Sequence, residues 1–281
     1  MPELPEAEVA VRQLRERVVG ALVSDCWVGR EDIVREGLSS LEWFRGATIT
    51  GVERRGKSVI LAFIRAEEVK FMTAELGMTG LLLFRNTPTK HPQHTHFVLK
   101  LEGGAESEIR YWNPRRFGRL SLLDQAGLDR YTSRRFGPDP LVISQMQFVQ
   151  LLSSTRSRLK PLLMHQQAIA GIGNIYANEM LFRARLHPDQ IANQVNQKAA
   201  IRLHEIMGDV LREAIDLGGS SVRDYFAPDG TEGQYKRRHL VYAKSGEPCP
   251  NDCGAVIRRS IGERSSFYCP RCQRIRRPQV G

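Results

Sequence analysis

The chain has 281 residues, 41% of them hydrophobic, and its 41 Lys plus Arg outweigh 31 Asp plus Glu for a formal charge of +10. No run of about 18 apolar residues is present to span a bilayer, and the first residues are acidic rather than a basic signal region, so a cytoplasmic protein without a membrane partner is expected. The length predicts two domains, and the charge suits a polyanion such as nucleic acid, a merely soluble basic protein being the bland alternative. Basic residues gather at Arg54, Arg55 and Lys57, at Arg115, Arg116 and Arg119, at Arg156, Arg158 and Lys160, and at Arg271, Arg274, Arg276 and Arg277.

The opening MPELPE leads into apolar positions Ala7, Ala10, Val11, Leu14 and Val18 at helical spacing, with Glu3, Pro5 and Glu6 in the first turn where helices accept them. Read alone, this is an ordinary amphipathic helix start. From about residue 22 to 125 the pattern shortens to the strand-like runs VSDCWV, ATITGVERR, SVILAFI, TGLLLF, THFVLKLE, EIRYW and GRLSLL, which predict a β-sandwich. TSRRFGPDPL, with Gly137, Pro138 and Pro140, reads as a linker. The helical patterns ISQMQFVQLLSS, RLKPLLMHQQAIA, GNIYANEMLFRARL and QKAAIRLHEIMGDVLREAID follow. GGSSVRDYFAPDGTEGQYKRRH is too long for a simple connection and reads as functional or mobile.

These boundaries give an α+β chain of two domains: a β-sandwich over 1–130, a linker over 131–140, a helical region over 141–240 and a C-terminal element over 241–281. In that last element Cys249-x3-Cys253 and Cys269-x2-Cys272 lie about 15 residues apart, a spacing that suits one structural zinc ion held by four thiolates on a β-hairpin. Two disulfides are the alternative, disfavoured in a reducing cytosol. The intervening RRSIGERSSFY presents Arg258, Arg259 and Arg264 for a phosphate backbone. Cys26, left over in an apolar strand, reads as an inert core residue.

MPELPE at the start, LGMTG and NPRRFG among the strands, GIGNIYANE in the helical half, GGSSVRDYFAPDGTEGQY, and a finger ending FYCPRCQ together resemble the formamidopyrimidine-DNA glycosylase family of base-excision repair enzymes, which includes the endonuclease VIII branch. PELPE rather than PEGPE resembles the oxidised-purine branch. The resemblance covers nearly the whole chain and implies a β-sandwich carrying a catalytic N-terminal helix, then a helical domain with a helix-two-turn-helix motif and a zinc finger. It also implies a glycosylase and AP lyase acting as a monomer on damaged double-stranded DNA.

Carried onto matching positions, the resemblance makes Pro2 the Schiff-base nucleophile once Met1 is removed. An α-amino group has an ordinary pKa near 7.7–8 against about 10.4 for lysine, so part of such an amine is neutral near pH 7. Glu3 is implied as the proton donor that opens the sugar, and Glu6, one turn on, as an aid to proton movement or simply a dipole partner. Lys57 is implied in phosphate contact and β-elimination. Arg264 is implied in δ-elimination, though its guanidinium suits a phosphate clamp better than an acid. Met78, Arg115 and Phe117 match a gap-filling trio for the space left by an extruded base, against the plain reading of Met78 and Phe117 as core. His94 matches a DNA-contacting histidine. Gly171 and Gly173, with Asn174 read as an N-cap, would seat a phosphate at a helix start, and Glu179 also matches. Ser220 to Tyr225, with Ser220, Val222, Arg223 and Tyr225, resembles a lid over the extruded base.

Four departures from the family pattern stand out. Glu75 occupies a position usually held by a phosphate-contacting histidine, His165 stands where an aspartate is common, the first cysteine pair has one extra residue, and the helix reads EAEVAVRQL. An endonuclease VIII-like enzyme for oxidised pyrimidines and a non-catalytic, zinc-dependent binder of damaged DNA remain as alternative readings.

Overall fold

The computed structural model describes residues 2–89, 92–222 and 225–275; Arg223, Arg276 and Arg277 lie outside the described residues. It divides into two compact units, residues 1–135 with 214–236, and residues 136–213 with 237–281. This division differs from the boundaries drawn on the sequence, because residues 131–135 continue a helix and residues 214–236 group with the first unit.

In the first unit, helix α1 (Leu4–Val18) buries Leu4, Ala7, Ala10, Val11, Leu14 and Val18, the stripe expected from the spacing. Nine strands follow: β1 (Leu22–Val28), β2 (Val34–Glu36), β3 (Thr48–Arg55), β4 (Ser58–Arg65), β5 (Glu68–Glu75), β6 (Leu81–Phe84), β7 (Thr95–Glu102), β8 (Glu108–Trp112) and β9 (Arg119–Leu123). They form one mixed sheet in the order β2-β9-β5-β4-β3-β1-β7-β8-β6. Residues from both ends of that order, Val34 and Leu120 at one, Leu82 and Phe84 at the other, belong to a single core with Val11, Leu14 and Val18 of α1. Cys26 belongs to it too, and burial pushes its thiol up to about 12, which keeps it unreactive.

Two strands and a helix escape a reading by pattern. β5 is joined to β4 by Ala66 and Glu67, both at positive φ (46° and 70°), a conformation that hairpin turns need but that Asn or Gly normally announces. β2 is three residues long and pairs in parallel with β9. Helix α2 (Gln125–Arg135) buries only Gly127 and Tyr131, too narrow a stripe to stand out, and starts where Asp124 accepts the Gly127 N–H at 2.7 Å.

The second unit holds α3 (Gln145–Ser153), α4 (Leu159–Met164), α5 (Asn174–Arg183), most of α6 (Gln197–Asp216) and a hairpin of β10 (Arg258–Ser260) and β11 (Ser266–Tyr268). Ser144 caps α3 by accepting the Gln147 N–H at 3.2 Å, closing a capping box. No described helix is long and apolar enough to cross a membrane.

Candidate active site and nucleic-acid interface

The head of α1 is buried: Glu3 and Glu6 are each 1% exposed, and Pro2 is buried as well. Glu6 is the junction. One carboxylate oxygen accepts the Glu3 N–H at 2.7 Å and the other accepts the Ser220 N–H at 2.7 Å. Tyr225 donates its hydroxyl to the Glu6 carbonyl at 3.2 Å, and burial, with the Glu6 and Asp229 charges, holds that phenol neutral well above its ordinary range. Gly219, at φ +83°, leaves no room for a Cβ, which would stand 2.9 Å from a Glu6 oxygen. The first turn and the segment at Ser220 are therefore positioned by the same carboxylate.

That segment is tied down around its described residues. Ser221 donates to the Tyr225 carbonyl at 2.7 Å and accepts the Gly233 N–H at 2.8 Å. The Gln234 N–H meets the Leu217 carbonyl at 2.7 Å, and the Asp229 N–H meets Gln13 of α1 at 3.2 Å. Tyr225 and Phe226 pack with Leu81, Leu83 and Trp112. Val222 is half-buried.

Lys57, half-buried, sits in the turn between β3 and β4. That turn is fixed to α1 by Arg54, whose guanidinium donates to Glu8 at 2.8 Å and to the Gly56 carbonyl at 3.2 Å. Burial works against the Glu8 charge, but Arg54 and Arg12 outweigh it and hold the carboxyl below the ordinary range.

The loops bearing Met78, His94, Arg115 and Phe117 meet at Asn113, a fully buried residue that the motif reading passed over. Its side chain accepts from Thr79 at 3.4 Å and donates to the Tyr111 hydroxyl at 3.1 Å and the Gly118 carbonyl at 3.3 Å. Its N–H donates to the His94 carbonyl at 2.9 Å, and its carbonyl lies 3.1 Å from His96 Nε2. Thr79 in turn accepts the Arg115 N–H at 3.3 Å. Phe117 is 58% exposed and carries the Arg115 guanidinium 5.0 Å from its ring centre, while Met78 is half-buried. An exposed aromatic on a loop this firmly held is not core; it is presented. A Cβ on Gly118 would overlap Tyr111 Oη and the Glu75 carbonyl, so Gly118→Ala should lower stability by about 3 kcal/mol in a denaturant titration. An unchanged midpoint would show that the two loops are not interlocked.

In the second unit, Gly173 rather than Asn174 is the N-cap of α5: its backbone is extended (φ −129°, ψ −160°) and Asn174 is the first helical residue. Gln166 braces the glycine turn, accepting the Gly171 N–H at 2.8 Å and donating to the Ile172 carbonyl at 2.9 Å. Glu179, fully buried, accepts three N–H groups, from Leu240 (2.8 Å), Val241 (3.0 Å) and Tyr242 (2.8 Å), so it anchors the chain entering the finger. Burial raises its carboxyl and those N–H groups oppose the rise.

The finger's four sulfurs, of Cys249, Cys253, Cys269 and Cys272, lie within 4.8 Å of one another, with Cys249–Cys272 at 3.8 Å and Cys253–Cys269 at 3.5 Å. A tetrahedron with Zn–S of about 2.3 Å has edges of about 3.8 Å, so the set fits one zinc ion. Arg258, Arg259 and Arg264 are exposed on the hairpin. Lys160, a member of the basic cluster with Arg156 and Arg158, is 3% exposed and donates to the Ser265 carbonyl at 2.6 Å and the Ser266 hydroxyl at 3.0 Å, bracing the turn beside Arg264. His165 is exposed and, with Arg158, Lys160 and Arg264, lines a cleft of about 780 Å³ between α4 and that turn.

Residues 1–120 match the formamidopyrimidine-DNA glycosylase N-terminal domain, residues 136–225 its H2TH domain, and residues 246–275 the zinc finger found in FPG and IleRS. The chain belongs to the formamidopyrimidine-DNA glycosylase family. It is 37% identical to the formamidopyrimidine-DNA glycosylase of Heliobacterium modesticaldum, over 98% of this chain and 100% of that protein, and 39% identical to that of Thermus thermophilus, over 97% and 98%. The crystal structure of the Thermus thermophilus MutM (Fpg) protein superposes with a TM-score of 0.85 at 36% identity, covering 98% of this chain and 100% of that one. A Lactococcus lactis Fpg variant in complex with DNA containing Fapy-dG gives 0.86 at 31%, over 97% and 100%. Within this family architecture, the α+β fold and the zinc finger read from the sequence both stand.

Proposed function

We propose that this chain excises oxidised purines, 8-oxoguanine and formamidopyrimidines, from double-stranded DNA and then cuts the strand, with Pro2 as nucleophile after removal of Met1. It acts as a monomer in the cytoplasm. The Glu6 junction carries the reading, because one buried carboxylate holds both the helix head that bears Pro2 and Glu3 and the segment proposed to cover the extruded base. The Pro2 amine attacks C1′ of the sugar as the bond to the damaged base breaks, and Glu3 gives a proton to the ring oxygen as the sugar opens. A secondary amine yields an iminium with no N–H to lose, an electron sink that favours loss of the C2′ proton and departure of the 3′ phosphate. A second elimination then releases the 5′ phosphate.

Arg115 and Phe117, whose guanidinium and ring lie 5.0 Å apart, fill the gap left by the base, with Met78 as the wedge. Lys57, His94, Arg264 and the N–H groups at Gly173 and Asn174 hold backbone phosphates. Ser220, Val222 and Tyr225 form the cover, a role that the resemblance extends to Arg223. The zinc ion, held by the four cysteines, supplies structure and takes no part in the chemistry.

Duplexes carrying 8-oxoguanine opposite cytosine should be cut faster than those carrying thymine glycol, leaving phosphate on both sides of the gap on a denaturing gel. Faster thymine glycol excision would move the chain to the endonuclease VIII specialisation. Salt-sensitive binding without cutting of either lesion would leave only a damage binder.

A further inference from the structure

Beside the loop that carries Met78, Glu75 at the end of β5 is met by two arginines from distant parts of the first unit. Its Oε1 accepts from Arg135 Nη1 of α2 at 2.5 Å and lies 3.5 Å from Arg35 Nη1 of β2. The three side chains are 20%, 35% and 48% exposed for Glu75, Arg135 and Arg35. The Arg135 guanidinium also lies 4.8 Å from the Tyr131 ring centre, which limits its freedom. Across the ladder, Arg119 is the register partner of Glu75, but its guanidinium is turned to the carbonyls of Arg116 and Gly118.

One carboxylate against two guanidiniums leaves a net positive charge, and a single oxygen engages one N–H of each fork. The remaining donors belong to side chains that stay partly exposed, 48% for Arg35 and 35% for Arg135. Paired, pre-oriented guanidiniums with net positive charge are the chemistry that grips a phosphate. A lone carboxylate at this place would repel DNA, whereas a carboxylate that gathers two arginines reverses the sign of the local field.

We propose that Glu75 is a positioning residue that holds Arg35 and Arg135 together as a seat for one backbone phosphate of the DNA. The proposal rests on the reading that the Met78 and Phe117 loops face DNA, and it is tested by binding rather than by catalysis. The full chain is titrated by fluorescence anisotropy against a short labelled duplex carrying a tetrahydrofuran abasic analogue, across a range of salt concentrations.

If Glu75 acted only as a charge near DNA, Glu75→Gln would tighten binding. The positioning role requires the opposite, a loss of ~3- to 10-fold with a shallower salt dependence. Arg35→Ala with Arg135→Ala should lower the slope of log affinity against log salt by about 0.9 for the lost phosphate contact, and adding Glu75→Gln to that pair should cost nothing more. Should Glu75→Gln melt early, Arg35→Lys with Arg135→Lys keeps the charge and loses the fork, and weaker binding is expected again. Unchanged or tighter binding by a well-folded Glu75→Gln, a Glu75→Gln loss that persists without the two arginines, or full affinity in the double lysine variant each overturns the seat. Absence of strand cutting with these binding effects intact would overturn the catalytic reading and leave the seat standing.

Discussion

Borohydride added to the protein on a duplex containing 8-oxoguanine opposite cytosine is expected to trap a covalent protein–DNA adduct, and Pro2→Gly is expected to reduce that adduct to background. Pro2 precedes Glu3, the N-cap of α1, so its replacement removes no helical hydrogen bond and should change stability by roughly 1 kcal/mol or less. Glycine still ends in an amine, but a primary one whose Schiff base can lose its N–H proton and with it the cation that drives elimination. Equal melting temperatures with loss of the adduct would therefore locate the defect in the chemistry. Glu3→Gln keeps the shape of a buried side chain and removes its proton, so sugar opening should slow on the order of 10²- to 10⁴-fold. An adduct that survives in Pro2→Gly would move the nucleophile to another amine. Lys57, on a turn tied to α1 through Arg54 and Glu8, would then be the first lysine to replace.

The α1 stripe was legible because burial on one face repeats every three to four residues, and seven of the nine strands that follow it announced themselves through β-branched and apolar runs. β5 was not legible, because its turn uses Ala66 and Glu67 at positive φ where the usual signal residues are missing. The site followed the same logic. The cysteine pairs are local in sequence, so spacing alone raises them, whereas the PELPE start reads alone as an ordinary helix and gains its meaning only from the resemblance. Asn113 and Lys160 act through partners far along the chain, Thr79 for one and Ser265 for the other. Nothing in a charge count distinguishes a buried lysine that braces a turn from an exposed one that meets phosphate. Glu75 shows the same limit from the other side: it reads as a repulsive departure until Arg35 and Arg135 are found on it.

Removal of the metal, by a chelator or by Cys269→Ser, sets two stabilising systems in the second unit against each other. Without zinc the hairpin has three paired positions, Arg258↔Tyr268, Arg259↔Phe267 and Ser260↔Ser266, and a two-stranded ribbon of that size is marginal in water. It also keeps its anchors to the helices: Asn178 accepts the Phe267 N–H at 2.8 Å, Gln273 donates to the Leu186 carbonyl at 2.8 Å, and Lys160 and Glu179 hold either side. Such bonds contribute about 0.5–1.5 kcal/mol each, and about 1.5–3 where a charge is involved, so together they amount to several kcal/mol. A structural zinc site supplies roughly 10–16 kcal/mol in small fingers, and here four thiols packed within 4.8 Å would otherwise face one another with no ion between them. The metal term is the larger. Zinc release should therefore free the turn that carries Arg264 and weaken duplex binding ~100-fold or more at fixed salt, with one equivalent of zinc released per chain in a colorimetric assay. If Cys269→Ser instead binds DNA as tightly as the parent, the helix anchors alone hold the finger, and the phosphate contact at Arg264 does not depend on the ion.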